Sequence, residues 1–361
     1  MSRNRDLLLA AVLFMGMGAA YAGPITFTCA ANIDATEAGT CNYLNTIVAG
    51  NYTSTFTNVA ANVYIAYGST GLASSTVGFY NDVPYATFVA DLTANALASH
   101  NPNMLAAVAS LNSVDSHTYY GTSTVVITSA EGEALGVADA SLTGTTGPAA
   151  GNHPCTIGTA GCYNGVITLT NAANTWFYDQ NGGSAAGLYD VYAAVEHELD
   201  EVLGTSSCMD TQNGGILTDP CPFSSNEPSS TDLYRYNSSG NLALNNAYVG
   251  LTNAASGTGF PYFSYNGGAT NGADGFIYNT TANRNDYADF LSYCPGGPFS
   301  IQDAEGCPVV GEQGLTIRND GGAEINILNA LGYEIAAPEP ATVALLAAGL
   351  ALLAGFQRRR A

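Results

Sequence analysis

No lysine occurs anywhere in the 361-residue chain. The 8 basic residues are all arginines, set against 29 acidic ones, for a formal net charge of −21 at pH 7. Phosphate backbones and anionic lipid repel such a chain, so the sequence argues against nucleic-acid binding. Charged residues make up only 10% of the total and tryptophan occurs once. No Cys-x-x-Cys pair is present, which leaves thiolate metal ligation without its usual spacing. Nor is there a Gly-x-Ser-x-Gly turn to support Ser–His–Asp catalysis. No repeat of fixed period is visible. What is present is apolar: 47% of residues are hydrophobic and 22 are tyrosines. That is enough to bury a core and excludes intrinsic disorder. The 41 glycines, with much Asn, Ser and Thr, predict many turns and short strands.

Both ends read as targeting segments. Arg3 and Arg5 precede an apolar run from Leu7 to Ala20, and Ala20-Tyr21-Ala22 has the small-x-small form of a cleavage site. Residues 1–22 are therefore expected to be a secretory signal, with Gly23 opening the mature chain. At the other end Pro338-Glu339-Pro340 is followed by an apolar stretch from Ala341 to Phe356 and by Arg358-Arg359-Arg360. The stretch is short for a span of ~20 residues, and the arginines belong on the cytoplasmic side. This tail resembles the PEP-CTERM sorting signal. The resemblance implies cleavage by an exosortase in a Gram-negative bacterium that makes exopolysaccharide. A permanent one-helix anchor is the alternative. Either way the body lies outside the cytoplasm, at the cell surface, the outer membrane or the extracellular matrix, with the tail as at least a transient anchor. Between these ends only Arg235, Arg284 and Arg318 are strong bases.

The 8 cysteines form four local couples: Cys29 with Cys41, Cys155 with Cys162, Cys208 with Cys221, and Cys294 with Cys307. In an oxidising compartment four local disulfides are the natural expectation. Helices are expected over Tyr43–Ala61, Pro84–Ala98, Pro102–Leu111, Leu188–Leu203 and Ala323–Leu331. Strands are expected over Ala61–Tyr67, Thr122–Thr128 and Gly165–Thr170, and Asn174–Asp179 reads as a strand or as a loop packing on one. After Gly204 the chain turns rich in Asn, Gly, Ser and Tyr. The organisation reads as signal 1–22, an α+β subdomain 23–205, an irregular subdomain 206–337 and a sorting segment 338–361.

The chemistry sits in the last long helix before Gly204, which reads Glu196-His197-Glu198-Leu199-Asp200-Glu201-Val202-Leu203. Residues four apart share a helix face, so His197 and Glu201 point the same way and are candidate ligands of one cation. Glu198 lies on the flank of that face, within reach of a bound water. Val195, Leu199 and Val202 take the opposite face. The remaining histidines, His100, His117 and His153, are scattered.

This pattern resembles the zincin metallopeptidases, with His197 as metal ligand and Glu198 as catalytic base. More narrowly, with Gly204 as the turning glycine, it resembles the metzincins. The resemblance implies a metzincin-like half with a twisted mixed sheet and an active-site helix, followed by an irregular, loop-rich C-terminal half. It also implies that Gly165–Thr170 is the edge strand along which a peptide lies. The chain departs from the pattern where Glu201 replaces the second histidine, where Ser207 occupies the third ligand position, and in having no methionine after Met209. His-Glu-x-x-Glu-Val-x-Gly, with Asp232-Leu233-Tyr234-Arg235-Tyr236, Tyr262-Phe263-Ser264 and Asn285-Asp286-Tyr287, resembles a family of PEP-CTERM-associated predicted metalloproteases. Asp232 is the expected third ligand, with Asp210 and Ser207 as alternatives, and Tyr234 or Tyr236 is an expected oxyanion donor. One imidazole with carboxylates suits Zn²⁺, with Mn²⁺ or Ca²⁺ as alternatives. The expected function is a secreted or surface-sorted zinc-dependent metallopeptidase acting on proteins or peptides. The alternative is a non-enzymatic surface or exopolysaccharide-matrix protein on a degenerate peptidase scaffold.

Overall fold

Alternation in the strand Asn62–Gly68 sends Val63, Ile65 and Tyr67 into the core and leaves Asn62 exposed, the period of a half-buried strand. The computed structural model describes residues 24–77, 81–113, 124–208, 228–236, 262–269, 288–292 and 294–336. The expected secretory signal, the sorting tail with its apolar run, His117, Asp210 and Cys221 lie outside the described residues.

Asn62–Gly68 belongs to a four-stranded mixed sheet ordered Thr26–Cys29, Asn62–Gly68, Gly165–Thr170, Ala73–Val77. The first three strands run parallel and the last is antiparallel. Gly165–Thr170 is thus an internal strand, not the expected edge strand. It is buried on both faces, which is why it reads as a nearly continuous apolar run. The edge is formed by Ala73–Val77. Its Ala-Ser-Ser-Thr-Val sequence carries no hydrophobic alternation, so periodicity gave no sign of it.

The motif helix spans Val191–Leu203 and starts later than the expected Leu188. Asp190 caps it, with Oδ1 accepting the amides of Tyr192 at 2.8 Å and Ala193 at 3.3 Å. Tyr189–Asp190 pairs instead with Trp176–Phe177. Val195, Leu199 and Val202 are completely buried. The helix sits so close to the sheet that a Cβ on Gly165 would come within 2.4 Å of Val202. Gly204, at φ +128°, ends the helix in a conformation disfavoured for residues with side chains.

Around this unit, Tyr85–Ser99 packs on Pro102–Ser113, and the latter on Ala323–Leu331. The helical stretch expected from Tyr43 begins at Thr40, passes through a π-helical turn at Leu44–Val48, and ends at Thr55. Phe56 then bridges to Ile335. The strand Thr124–Ile127 pairs with Asn81–Pro84. Beyond Gly204 the described chain is mostly irregular, so the class is α+β with a loop-rich second half. Leu233, Tyr234, Phe263, Ile301 and Ile317 nonetheless join the same hydrophobic core as Ile65 and Leu199. Disulfides link Cys29–Cys41, Cys155–Cys162 and Cys294–Cys307. Cys208 is also disulfide-bonded. No helix among the described residues is long and apolar enough to cross a membrane.

Candidate metal centre

The helical repeat that buries Val195 and Leu199 turns His197 and Glu201 toward a cleft of about 870 Å³. The Nδ1 of His197 lies 2.9 Å from the carbonyl oxygen of Ile301. A carbonyl only accepts, so Nδ1 carries the proton, and in the neutral ring Nε2 offers its lone pair. That nitrogen stands 3.6 Å from Glu201 Oε1 and 3.5 Å from Asp289 Oδ1. Both separations exceed a normal N–H···O bond. They match the roughly 3.3–3.5 Å expected between two ligands that each sit ~2.0–2.2 Å from one tetrahedral cation. The ligand atoms of His197, Glu201 and Asp289 all lie within 4.8 Å of one another.

The surroundings hold this set in place. Gln302, completely buried, donates from Nε2 to Asp289 Oδ1 at 3.1 Å and lies 3.4 Å from His197 Nε2. Ser75, on the edge strand, donates to Glu201 Oε2. Asp320 Oδ2 accepts the amide of Ile301 at 3.3 Å and Glu324 Oε1 that of Gln302 at 3.0 Å. The Asp-Gly-Gly-Ala-Glu segment therefore clamps the backbone whose carbonyl orients His197. Behind the helix, Tyr52 donates to Asp200 Oδ1 at 2.7 Å, and Glu196 accepts from Asn51 at 2.6 Å and from the amide of Ile317 at 2.8 Å.

The site carries more negative charge than one imidazole balances. Burial opposes protonation of His197, but Asp289, then Glu201 and Glu198, outweigh it and push the imidazole well above its ordinary value. Burial first, then the charge of Glu201, pushes the Glu198 carboxyl well up. Burial would raise Glu201 as well, yet His197 and Ser75 hold it below its ordinary value. One imidazole nitrogen and two carboxylate oxygens converging in a carboxylate-rich cleft fit a divalent cation.

The remaining expected residues fall elsewhere. Asp232 is not at this centre. Its carboxylate accepts from Ser207 Oγ at 2.6 Å, the Cys208 amide at 2.9 Å, the Ser229 amide at 3.0 Å and Ser229 Oγ at 2.9 Å. It also pairs with the buried Arg235 at 3.5 Å. These donors occupy both of its oxygens, so Asp232 ties the turn after Gly204 to residues 229–235. Ser207 is committed to the same cluster. Tyr234 donates to the carbonyl of Ala330 at 3.1 Å and Tyr236 bonds Ser110 at 2.7 Å; neither lines the cleft, whereas Tyr189 does. Sequence reasoning missed Asp289, Gln302 and Ser75. The nearest signal was the Asn285-Asp286-Tyr287 segment, which stops just short of Asp289.

The cleft is floored by Ala193, Ala194, His197 and Glu198, walled on one side by Leu72–Val77 and on the other by residues between Ile301 and Glu312. Burial pushes Asp303 and Glu312 in that second wall up to about 7. No curated protein and no solved structure matches the chain. Residues 336–361 match the PEP-CTERM protein-sorting motif, which indicates export, surface sorting and processing by an exosortase.

Proposed function

We propose that the exported body is a divalent-metal-dependent peptidase. The observation that carries this reading is the meeting of His197 Nε2 with Glu201 and Asp289 at 3.6 and 3.5 Å, beside Glu198 in an open cleft. His197, Glu201 and Asp289 hold the ion, and Zn²⁺ or Mn²⁺ suits one nitrogen and two oxygen donors better than Ca²⁺, which takes more ligands and only oxygen. When bound, the ion supplies Lewis acidity to a scissile carbonyl and to water. Glu198 is the base. Lining the cleft beside His197, it is placed to take a proton from the attacking water and return it to the leaving amine. The Ile301 carbonyl, Gln302 and Ser75 fix His197, Asp289 and Glu201 in turn. The outer side of Ala73–Val77 borders the cleft, so an extended peptide pairs with it by strand addition.

Peptide hydrolysis by wild type and Glu198→Gln at equal metal content tests the proposal. Glu198→Gln keeps the ion and loses about 10²-fold or more in rate. Equal rates, or no hydrolysis by wild type across a broad peptide library, would favour the non-enzymatic surface-protein reading.

A further inference from the structure

The side chain of Gln302 is completely buried and ends at the candidate centre. Its backbone is fastened on both sides. The amide donates to Glu324 Oε1 at 3.0 Å, and the carbonyl accepts the amide of Phe290, the neighbour of Asp289, at 2.7 Å. Nε2 lies 3.1 Å from Asp289 Oδ1 and 3.4 Å from His197 Nε2, and those two atoms are themselves 3.5 Å apart. Ligands ~2.0–2.2 Å from one ion stand roughly 3.0–3.5 Å from each other, the lower figure for octahedral and the upper for tetrahedral arrangements. The amide end of Gln302 thus completes a triangle whose three edges are all ligand–ligand distances. On its other side Oε1 lies 3.4 Å from the hydroxyl of Thr205, itself completely buried just past the turn at Gly204.

Two roles fit this place, and they differ in which amide atom faces the ligands. With Nε2 inward, Gln302 donates to Asp289 Oδ1 and toward His197 Nε2. The second contact uses the imidazole lone pair that a cation needs, and both set positive hydrogens where the cation would sit. A half-turn about Cγ–Cδ exchanges the two amide atoms and moves little else. Oε1 then faces the same pair, an arrangement of acceptors that a cation between them holds together. Nε2 meets Thr205 Oγ1, and a hydroxyl accepts as readily as it donates. We infer that Gln302 is a further ligand of the ion, through Oε1, beside His197, Glu201 and Asp289, with Thr205 Oγ1 accepting from Nε2. A neutral carboxamide adds an oxygen donor without adding charge to a cleft already lined by Glu198, Glu201 and Asp289. Zn²⁺ can take a fifth ligand, so a position for water remains. The assignment rests on the metal reading of the centre, though not on peptide hydrolysis.

Two measurements on the exported protein test it. The first is NMR of the isotope-labelled, zinc-loaded wild type. The side-chain amide protons of Gln302, assigned along its own side chain, should show stronger NOEs to the Thr205 methyl group than to the His197 ring. The second is zinc affinity by chelator competition. Gln302→Leu should weaken zinc by more than about 100-fold, whereas Ser75→Ala, which removes a partner of Glu201 and no ligand, should cost only about 10-fold. Gln302→Glu keeps an oxygen at the centre and should bind zinc at least as tightly as wild type. Stronger amide contacts to the His197 ring, or zinc held by Gln302→Leu as tightly as by Ser75→Ala, would overturn the assignment and leave the three-residue centre standing. A wild type that binds no zinc would remove both. Zinc held through Gln302 in a protein that cuts no peptide would keep the ligand and remove the peptidase reading. The NMR contacts need only wild type, so they decide the matter should Gln302→Leu misfold.

Discussion

Two aspartates of the second half of the chain are both buried, and their surroundings decide what each does. Asp289 faces an imidazole nitrogen, with Gln302 as its hydrogen-bond donor. Asp232 accepts from hydroxyls and amides on both oxygens and pairs with Arg235. Sequence alone could not separate them, because the difference lies in which donors the tertiary fold delivers. His197 and Glu201 were legible because both sit on one helix with fixed geometry, and a four-residue spacing translates directly into a shared face. The contrast gives a prediction. Asp232→Ala removes the acceptor for several buried donors and leaves the charge of Arg235 in the core without its carboxylate. It should cost about 3–5 kcal/mol of stability, measured by urea unfolding. A protein of unchanged stability that had lost only its metal would return Asp232 to the centre.

Among the elements, helices and internal strands were the most legible and the edge strand that borders the cleft the least. The helix Val191–Leu203 and the strand Gly165–Thr170 announce themselves through apolar period and β-branched residues. Which strand lies at the edge depends on pairing order, and nothing local in Ala-Ser-Ser-Thr-Val states it. The short helix Ser129–Ala134, packed against Val191–Leu203, adds a testable electrostatic consequence. Its Glu133 accepts a hydrogen bond from Asn164 at 2.7 Å, yet burial pushes its carboxyl from 4.5 to about 7. The folded state therefore holds a proton that the unfolded chain releases at lower pH. The stabilisation is fully present below the unfolded value and is lost as pH rises through about 7. Its size is on the order of 3 kcal/mol. Melting temperature should fall between pH 5 and pH 8, and Glu133→Gln should flatten that slope. An unchanged slope in the variant would place the pH dependence elsewhere.

At the scale of the whole molecule, the acidic composition, the local cysteine couples and the sorting tail all agree with an exported body. The cysteine spacing was legible because short loops close at low entropic cost. The expected division after Gly204 follows a change in composition, whereas the core runs through it: Leu233 and Ile317 pack in the same cluster as Leu199. The proposed function depends on that continuity. The second half supplies Asp289, the Ile301 carbonyl, Gln302 and the Asp303–Glu312 wall, so the centre exists only when both halves fold together.

The most direct test of this account is the metal content of the intact exported protein, measured by plasma mass spectrometry after dialysis. Wild type and Glu198→Gln should each carry a stoichiometric divalent ion, whereas His197→Ala and Asp289→Ala should carry almost none. A folded wild type without bound metal, or an ion that persists in Asp289→Ala, would contradict the account.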